Sequence, residues 1–174
     1  AKRFMDGLPP ASWGPPAQHE ATRSALPEQE RIEVAETLAT VFSGRADYNA
    51  YLQTLRSTLD WINASVLCAG RAIGALGFCM GGSLVGLLAA ADARLRAGVI
   101  FYGWPPPAEH RLNIGCPLLG CYGAEDETGL TAHVPEFAAS LLRLGVRFTH
   151  VVYPGAPHAF FNDTRISYRV DAAR

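Results

Sequence analysis

The sequence is poor in the features that mark zinc modules, disulfide scaffolds, nucleic-acid binders and membrane spans. Its four cysteines, at 68, 79, 116 and 121, form no Cys-x-x-Cys pair, and no His-x-x-x-His partner completes a zinc set. So few cysteines in 174 residues do not make a secreted disulfide framework. Reduced thiols and a cytoplasmic protein are expected, with Cys68, Cys116 and Cys121 as small buried apolar fillers. Charge of either sign is scarce and evenly spread, with 15 basic and 16 acidic residues giving a net charge of −1. That leaves no electrostatic footprint for nucleic acid or an anionic membrane. The longest apolar stretch, around 83–91, is too short to span a bilayer. The opening Ala-Lys-Arg-Phe-Met-Asp lacks the basic-then-apolar pattern of a signal peptide and has no initiator Met, so an upstream segment is expected. Oligomeric state leaves no mark on the sequence.

What is present is apolar material for one core, at 49% hydrophobic residues, and a length that fits a single domain over 1–174. Residues 1–25 are rich in proline and read as an irregular loop. Helical spacing of apolar residues follows over about 28–42, where Ser43-Gly44 ends it, and over about 46–63. The pattern then changes to short apolar runs separated by helices. Strands are expected at 72–77, 97–102, 117–122 and 148–153, with helices at 80–91 and about 132–144, the latter closed by Gly145. The fold class this implies is α/β, a mostly parallel sheet with helices on both faces. Residues 166–174 read as the opening of a helix that is cut short. The sheet is expected to be incomplete, with N-terminal strands and a C-terminal helix lying outside this chain.

The chemistry centres on Gly77-Phe78-Cys79-Met80-Gly81-Gly82, where a strand enters a Gly-x-Cys-x-Gly turn and leaves as a helix. A nucleophile at such an elbow sits on strained backbone, so small residues are needed two before and two after it. Gly77 and Gly81 meet that need, and Gly82 adds room. The helix N-terminus favours a thiolate at Cys79, and the Met80 backbone N–H is placed to donate to an oxyanion. Taken alone, the motif also fits a glycine-rich turn with an incidental cysteine.

An acid and a base stand where the elbow needs them. Asp126 follows the strand at 117–122, and His158 follows the strand at 148–153. Parallel sheets gather their chemistry at the carboxyl ends of strands, so Cys79, Asp126 and His158 converge on one edge. Nucleophile, acid, histidine is the chain order of α/β-hydrolases. In that arrangement His158 takes the thiol proton or pairs with the thiolate, and Asp126 fixes the imidazole.

These residues resemble the motifs of the dienelactone hydrolase family: the elbow at 77–82, Gly-x-x-Asp at 123–126, and Tyr153-Pro154-Gly155-Ala156-Pro157-His158-Ala159-Phe160. Val99-Ile100-Phe101-Tyr102-Gly103 resembles the strand that the family places between nucleophile and acid. The likeness covers roughly 46–163. It implies an α/β-hydrolase fold and a carboxymethylenebutenolidase-like hydrolase of small esters or lactones. The implied mechanism is an acyl-enzyme path on Cys79, His158 and Asp126, with no cofactor and no metal. Family members begin with strands and a helix ahead of the stretch matching 4–10. That portion carries the second oxyanion N–H and a glutamate that modulates the thiol, so neither is assigned here. Members acting on dienelactone hold its carboxylate with arginines, one of them four residues after the histidine. Here that position is Asn162, which leaves the ester or lactone open. Phe160, Phe161, Tyr102 and Trp104 are candidate pocket walls, with core packing as the alternative for each. Glutaminases that use an elbow thiol carry their acid two residues after the histidine, and position 160 is Phe. The other reading is a non-catalytic α/β-hydrolase-like binding or interaction protein.

Overall fold

Two helices precede the sheet. α1 spans Glu28–Phe42 and α2 spans Tyr48–Ala64 in the computed structural model, which describes Ser24, 26–42 and 47–174. The loop expected over 1–25 lies outside the described residues apart from Ser24, which is helical, and so does the stop at Ser43-Gly44. α2 begins two residues later than expected because Asp47 caps it, its carboxylate accepting the Ala50 N–H at 3.1 Å. Leu52, Leu55 and Leu59 of α2 turn toward the core, whereas Ile32 and Ala35 of α1 are exposed.

The sheet is wholly parallel, in the order β1 (Ile73–Phe78), β2 (Leu95–Phe101), β3 (Leu118–Gly123), β4 (Phe148–Tyr153). β2 starts before its β-branched run because Leu95 already pairs with Ile73 and is buried. α3 (Met80–Ala91) joins β1 to β2, and a short α4 (Ala108–Arg111) lies between β2 and β3. The helix expected over 132–144 is a 3₁₀ turn, Leu130–His133, followed by α5, Val134–Arg143. Pro135 sits in the first turn of α5, where its missing N–H costs no helical bond. Gly145, at φ 70°, ends it with the left-handed turn that glycine adopts without strain.

Strand alternation divides the side chains. Ile100, Leu118 and Tyr122 meet Val85 and Leu88 of α3 and Phe137 and Leu141 of α5 in the main core. Full burial of side chains such as Ile100 or Leu141 stabilises by about 1.5–3 kcal/mol each. The opposite face carries a second cluster in which Phe101 and Tyr153 pack with Cys121, Ala156, Phe160 and Ala172. Among the described residues the packed helices lie on the first face. The loop and turns after β4 cover the carboxyl end of the second.

Two expectations are corrected. Residues 166–174 form turns rather than the start of a helix. The Arg169 N–H, which a helix would give to Arg165, donates to the Phe160 carbonyl at 2.9 Å, and the remaining bonds there span three residues. Cys116 and Cys121 are buried and reduced, but Cys68 is only half-buried, in a turn whose Val66 and Leu67 stand open to solvent.

Tyr122 is fully buried, and among the described residues its hydroxyl is the buried side-chain polar atom without a partner. An unsatisfied buried hydroxyl costs about 1–3 kcal/mol. Tyr122→Phe is therefore expected to raise the urea midpoint, with a gain of about 1 kcal/mol. A loss of that size would mean the hydroxyl is bonded in solution.

Candidate active site

The elbow is where the sheet meets α3. Cys79 lies between β1 and α3 at φ 52° and ψ −121°, a conformation costly for any residue with a Cβ. Its N–H donates to Phe101 O at 3.0 Å, and its carbonyl accepts the Ser83 N–H at 3.1 Å, so sheet and helix both hold the turn. A Cβ on Gly77 would stand 2.1 Å from the Gly81 carbonyl oxygen, and one on Gly82 would stand 2.9 Å from Phe101 O. At Gly81 the space for a Cβ is open. The expected need for small side chains at 77 and 81 is thus corrected: it falls on 77 and 82, because the backbone of Gly81 crowds Gly77.

Asp126 follows β3, and His158 follows β4. Adjacent parallel strands bring the two loops together, and main-chain bonds lock them. Ala124 N–H donates to Tyr153 O at 2.9 Å, and Glu125 N–H donates to Ala156 O at 3.0 Å. A Cβ on Gly123 would stand 2.2 Å from Ala156 O, so only glycine allows this approach.

The structure brings three of the expected residues into one line. His158 Nδ1 lies 2.8 Å from Asp126 Oδ2, and His158 Nε2 lies 3.3 Å from Cys79 Sγ. The Asp126 carboxylate is completely buried and the imidazole nearly so, while Cys79 is open to solvent. The Met80 N–H, at the start of α3, is close enough to the Cys79 sulfur to favour its charged form.

Although the residue is open on one side, the protein packed around its sulfur would by desolvation push the Cys79 thiol up; the hydrogen bond from His158, its charge and the Met80 N–H outweigh this and hold the thiol below its ordinary value. Burial likewise opposes charge on His158, but the bonds to Asp126 and Cys79 raise it to about 10. Asp126 is also penalised by burial, yet His158 and Thr128 keep it ionised. All three shifts favour the charged forms, carboxylate, imidazolium and thiolate, and the sulfur end of the row faces water.

Two supporting residues escaped the sequence reading. Thr128 donates to Asp126 Oδ1 from its N–H at 3.0 Å and its hydroxyl at 2.5 Å. The Asp-x-Thr spacing of such a turn is the signal that could have found it. The Glu127 carboxylate accepts the His158 backbone N–H at 3.2 Å. Among the candidate pocket walls, Phe160 is fully buried and Tyr102 nearly so. Phe161 is partly open beside Phe78 and Phe101, and Trp104 is exposed against His133. Asn162 Oδ1 accepts the N–H and hydroxyl of Thr164 in a local turn. Among the described residues no group of three or more His, Cys, Asp or Glu is placed to hold a metal ion, and no helix is long and apolar enough to cross a membrane.

Comparison with known proteins adds the lineage. A Saccharolobus solfataricus protein, named as a candidate carboxymethylenebutenolidase, is 31% identical over 167 residues, covering 95% of this chain and 62% of its own. A Methylorubrum extorquens protein of the same name is 34% identical over 132 residues, covering 68% of this chain and 45% of its own. The crystal structure of a candidate dienelactone hydrolase from Klebsiella pneumoniae superposes with a TM-score of 0.68 at 28% identity, covering 79% of this chain and 61% of that one. A dienelactone hydrolase-like promiscuous phosphotriesterase from metagenomic libraries gives 0.69 at 26% identity, covering 80% and 62%. The chain thus spans roughly half to three-fifths of the relatives it matches. The dienelactone hydrolase family profile matches residues 22–174. With its parallel sheet and its elbow, the chain belongs to the dienelactone hydrolase family and has the α/β-hydrolase fold.

Proposed function

We propose that this chain, read as one α/β-hydrolase domain, hydrolyses small carboxylic esters or lactones through an acyl-enzyme on Cys79. The observation that carries the reading is His158, bonded to Asp126 through one ring nitrogen and to Cys79 through the other. The thiolate attacks the carbonyl carbon, and the oxyanion that forms is met by the Met80 N–H. As the intermediate collapses, the C–O bond breaks and His158 Nε2 delivers its proton to the departing alkoxide. The product alcohol leaves, or remains tethered when the substrate is a lactone. Neutral His158 then takes a proton from water, the hydroxide attacks the thioester, and the carboxylic acid departs as the thiolate returns. Asp126 keeps the imidazole in the required tautomer and offsets its charge. The steps run on these side chains and water. A small molecule in the cytoplasm, rather than nucleic acid or membrane, is the partner this reading requires.

Alkylation tests the activated thiol without a known substrate. With iodoacetamide at neutral pH, Cys79 should label about tenfold or more faster than the half-buried Cys68, read by peptide mass spectrometry. The thiol pKa is lowered, so labelling should persist below the ordinary thiol range of about 8.5 and fall only on further acidification. Labelling no faster than Cys68, with an ordinary titration, would sink the hydrolase reading and leave a binding protein.

A further inference from the structure

Beyond an irregularity at Arg96, which the pairing with β1 skips, β2 alternates from Ala97 to its end. Ile100 packs into the main core, and Phe101 packs on the opposite face. Continued alternation would return the next side chain to the helix side. Tyr102 instead joins the same cluster as Phe101, because its φ is 39°. A left-handed backbone costs an ordinary residue about 1–2 kcal/mol, so the surroundings must impose it. They do so at three points. The Tyr102 N–H donates to Cys121 O at 2.8 Å, and the Trp104 N–H donates to Ser83 Oγ at 2.8 Å. Between them Gly103 runs so close to α3 that a Cβ would stand 2.4 Å from Ser83 N.

The turn delivers the ring to the histidine. The Tyr102 and His158 ring centroids are 5.1 Å apart with planes at 65°, and Phe160 backs Tyr102 at 5.4 Å and 70°. These are edge-to-face contacts, and Tyr102 is 3% exposed. The hydrogen bonds at Nδ1 and Nε2 fix the imidazole along the line from Asp126 to Cys79. They leave it free to roll about that line. A packed ring beside it blocks the roll and keeps water from that side. Among the described residues, the non-glycine positions with positive φ are Cys79, Tyr102 and Ala159. The first bonds the imidazole, the second packs on it, and the third follows it in the chain.

We propose that Tyr102 is a positioning residue whose ring holds His158 in line between Asp126 and Cys79. The proposal rests on the catalytic reading above and adds to it the part played by the end of β2. The groups facing the imidazole are Cys79 from the elbow, Asp126 from the loop after β3, and Tyr102. Glu127 meets its backbone N–H. Tyr102 is the uncharged member: burial, and then the nearby thiolate, push its hydroxyl up to about 12.

The test compares the pH dependence of Cys79 alkylation in the wild type, Tyr102→Phe, Tyr102→Leu and Tyr102→Met, with thermal melts in parallel. Phe should match the wild type within about twofold, because the ring is retained. Leu and Met should lose about tenfold of the neutral-pH labelling rate, with the acid limb displaced upward by about one pH unit. On p-nitrophenyl acetate they should lower kcat by about tenfold or more while KM stays within about threefold, since orientation rather than binding is lost. Leu and Met serve as independent replacements, so a folding failure in one leaves the other to decide. An alkylation profile unchanged in the folded variant overturns the proposal. So does a Phe variant shifted as far as Leu, which would assign the effect to the hydroxyl. A wild-type Cys79 that labels as an ordinary thiol removes the catalytic reading itself, whereas an activated wild-type thiol indifferent to position 102 removes only this proposal.

Discussion

Cys79→Ala is expected to lower kcat toward p-nitrophenyl esters by at least about 10⁴-fold while the melting temperature moves by only a few degrees. The two effects separate because the thiol is exposed and its loss empties no part of either core. The backbone at φ 52° is held by the bonds from Cys79 N–H to Phe101 O and from Ser83 N–H to Cys79 O, which alanine retains. Cys79→Gly should go further. It removes the same nucleophile and also the Cβ that makes this conformation costly, for a net stabilisation of about 1 kcal/mol. An inactive variant more stable than the wild type would mark position 79 as one where strain is retained for chemistry. Cys79→Ser is the complementary probe. A hydroxyl is far harder to ionise than a thiol, so a serine there would form no ion pair with His158 although the geometry stays. Activity between wild type and Ala is expected. Ester hydrolysis by Cys79→Ala above about 1% of wild type would place the nucleophile elsewhere.

The legible parts of the fold are those encoded locally. Gly-x-Cys-x-Gly between an apolar run and a helical one specifies a strand–turn–helix, and the order β1-β2-β3-β4 lines up successive strand ends. Asp126 and His158 therefore fell on adjacent loops once their strands were recognised. What stayed hidden depends on which of several equivalent partners a group finds. In Glu125-Asp126-Glu127-Thr128 every residue is polar, and although Asp126 is legible as the acid, nothing local shows that Glu127 rather than Glu125 accepts the His158 N–H. The demand for glycine was misplaced at 81 because spacing identifies the crowded pair but not which member's Cβ collides. Tyr102 is legible as a candidate pocket wall, but its packing against His158 is not, for a stricter reason. Strand alternation assigns it to the wrong face, and only its positive φ, imposed by contacts distant in sequence, reverses that. The helix expected after 166 failed similarly, its Arg169 amide being taken by Phe160.

Asp126→Asn is expected to cost about 10³–10⁴-fold in kcat, and the structure explains why so small a change should matter. Oδ1 of Asp126 accepts two hydrogen bonds from Thr128, and Oδ2 faces His158 Nδ1. An asparagine must turn its single oxygen toward the two Thr128 donors, which leaves its NH₂ facing the imidazole. The amide then donates to Nδ1 and forces the remaining ring proton onto Nε2. In that tautomer Nε2 can only donate toward Cys79, so it cannot take the thiol proton. His158 also loses the carboxylate that, with Cys79, raises it to about 10. The thiol should accordingly titrate nearer its ordinary value, and neutral-pH alkylation of Cys79 should fall along with kcat. The flip is enforced by Thr128, so the double variant Asp126→Asn, Thr128→Ala should recover part of the loss. With the hydroxyl gone only the backbone N–H of residue 128 still calls for the amide oxygen, so the amide can turn that oxygen toward Nδ1 at the loss of one bond instead of two and restore the working tautomer in part of the molecules. A recovery of about tenfold over Asp126→Asn, with Thr128→Ala alone mildly impaired, is the expected pattern. A double variant no better than the single one would show that the charge of Asp126, not the tautomer it selects, is what the imidazole requires.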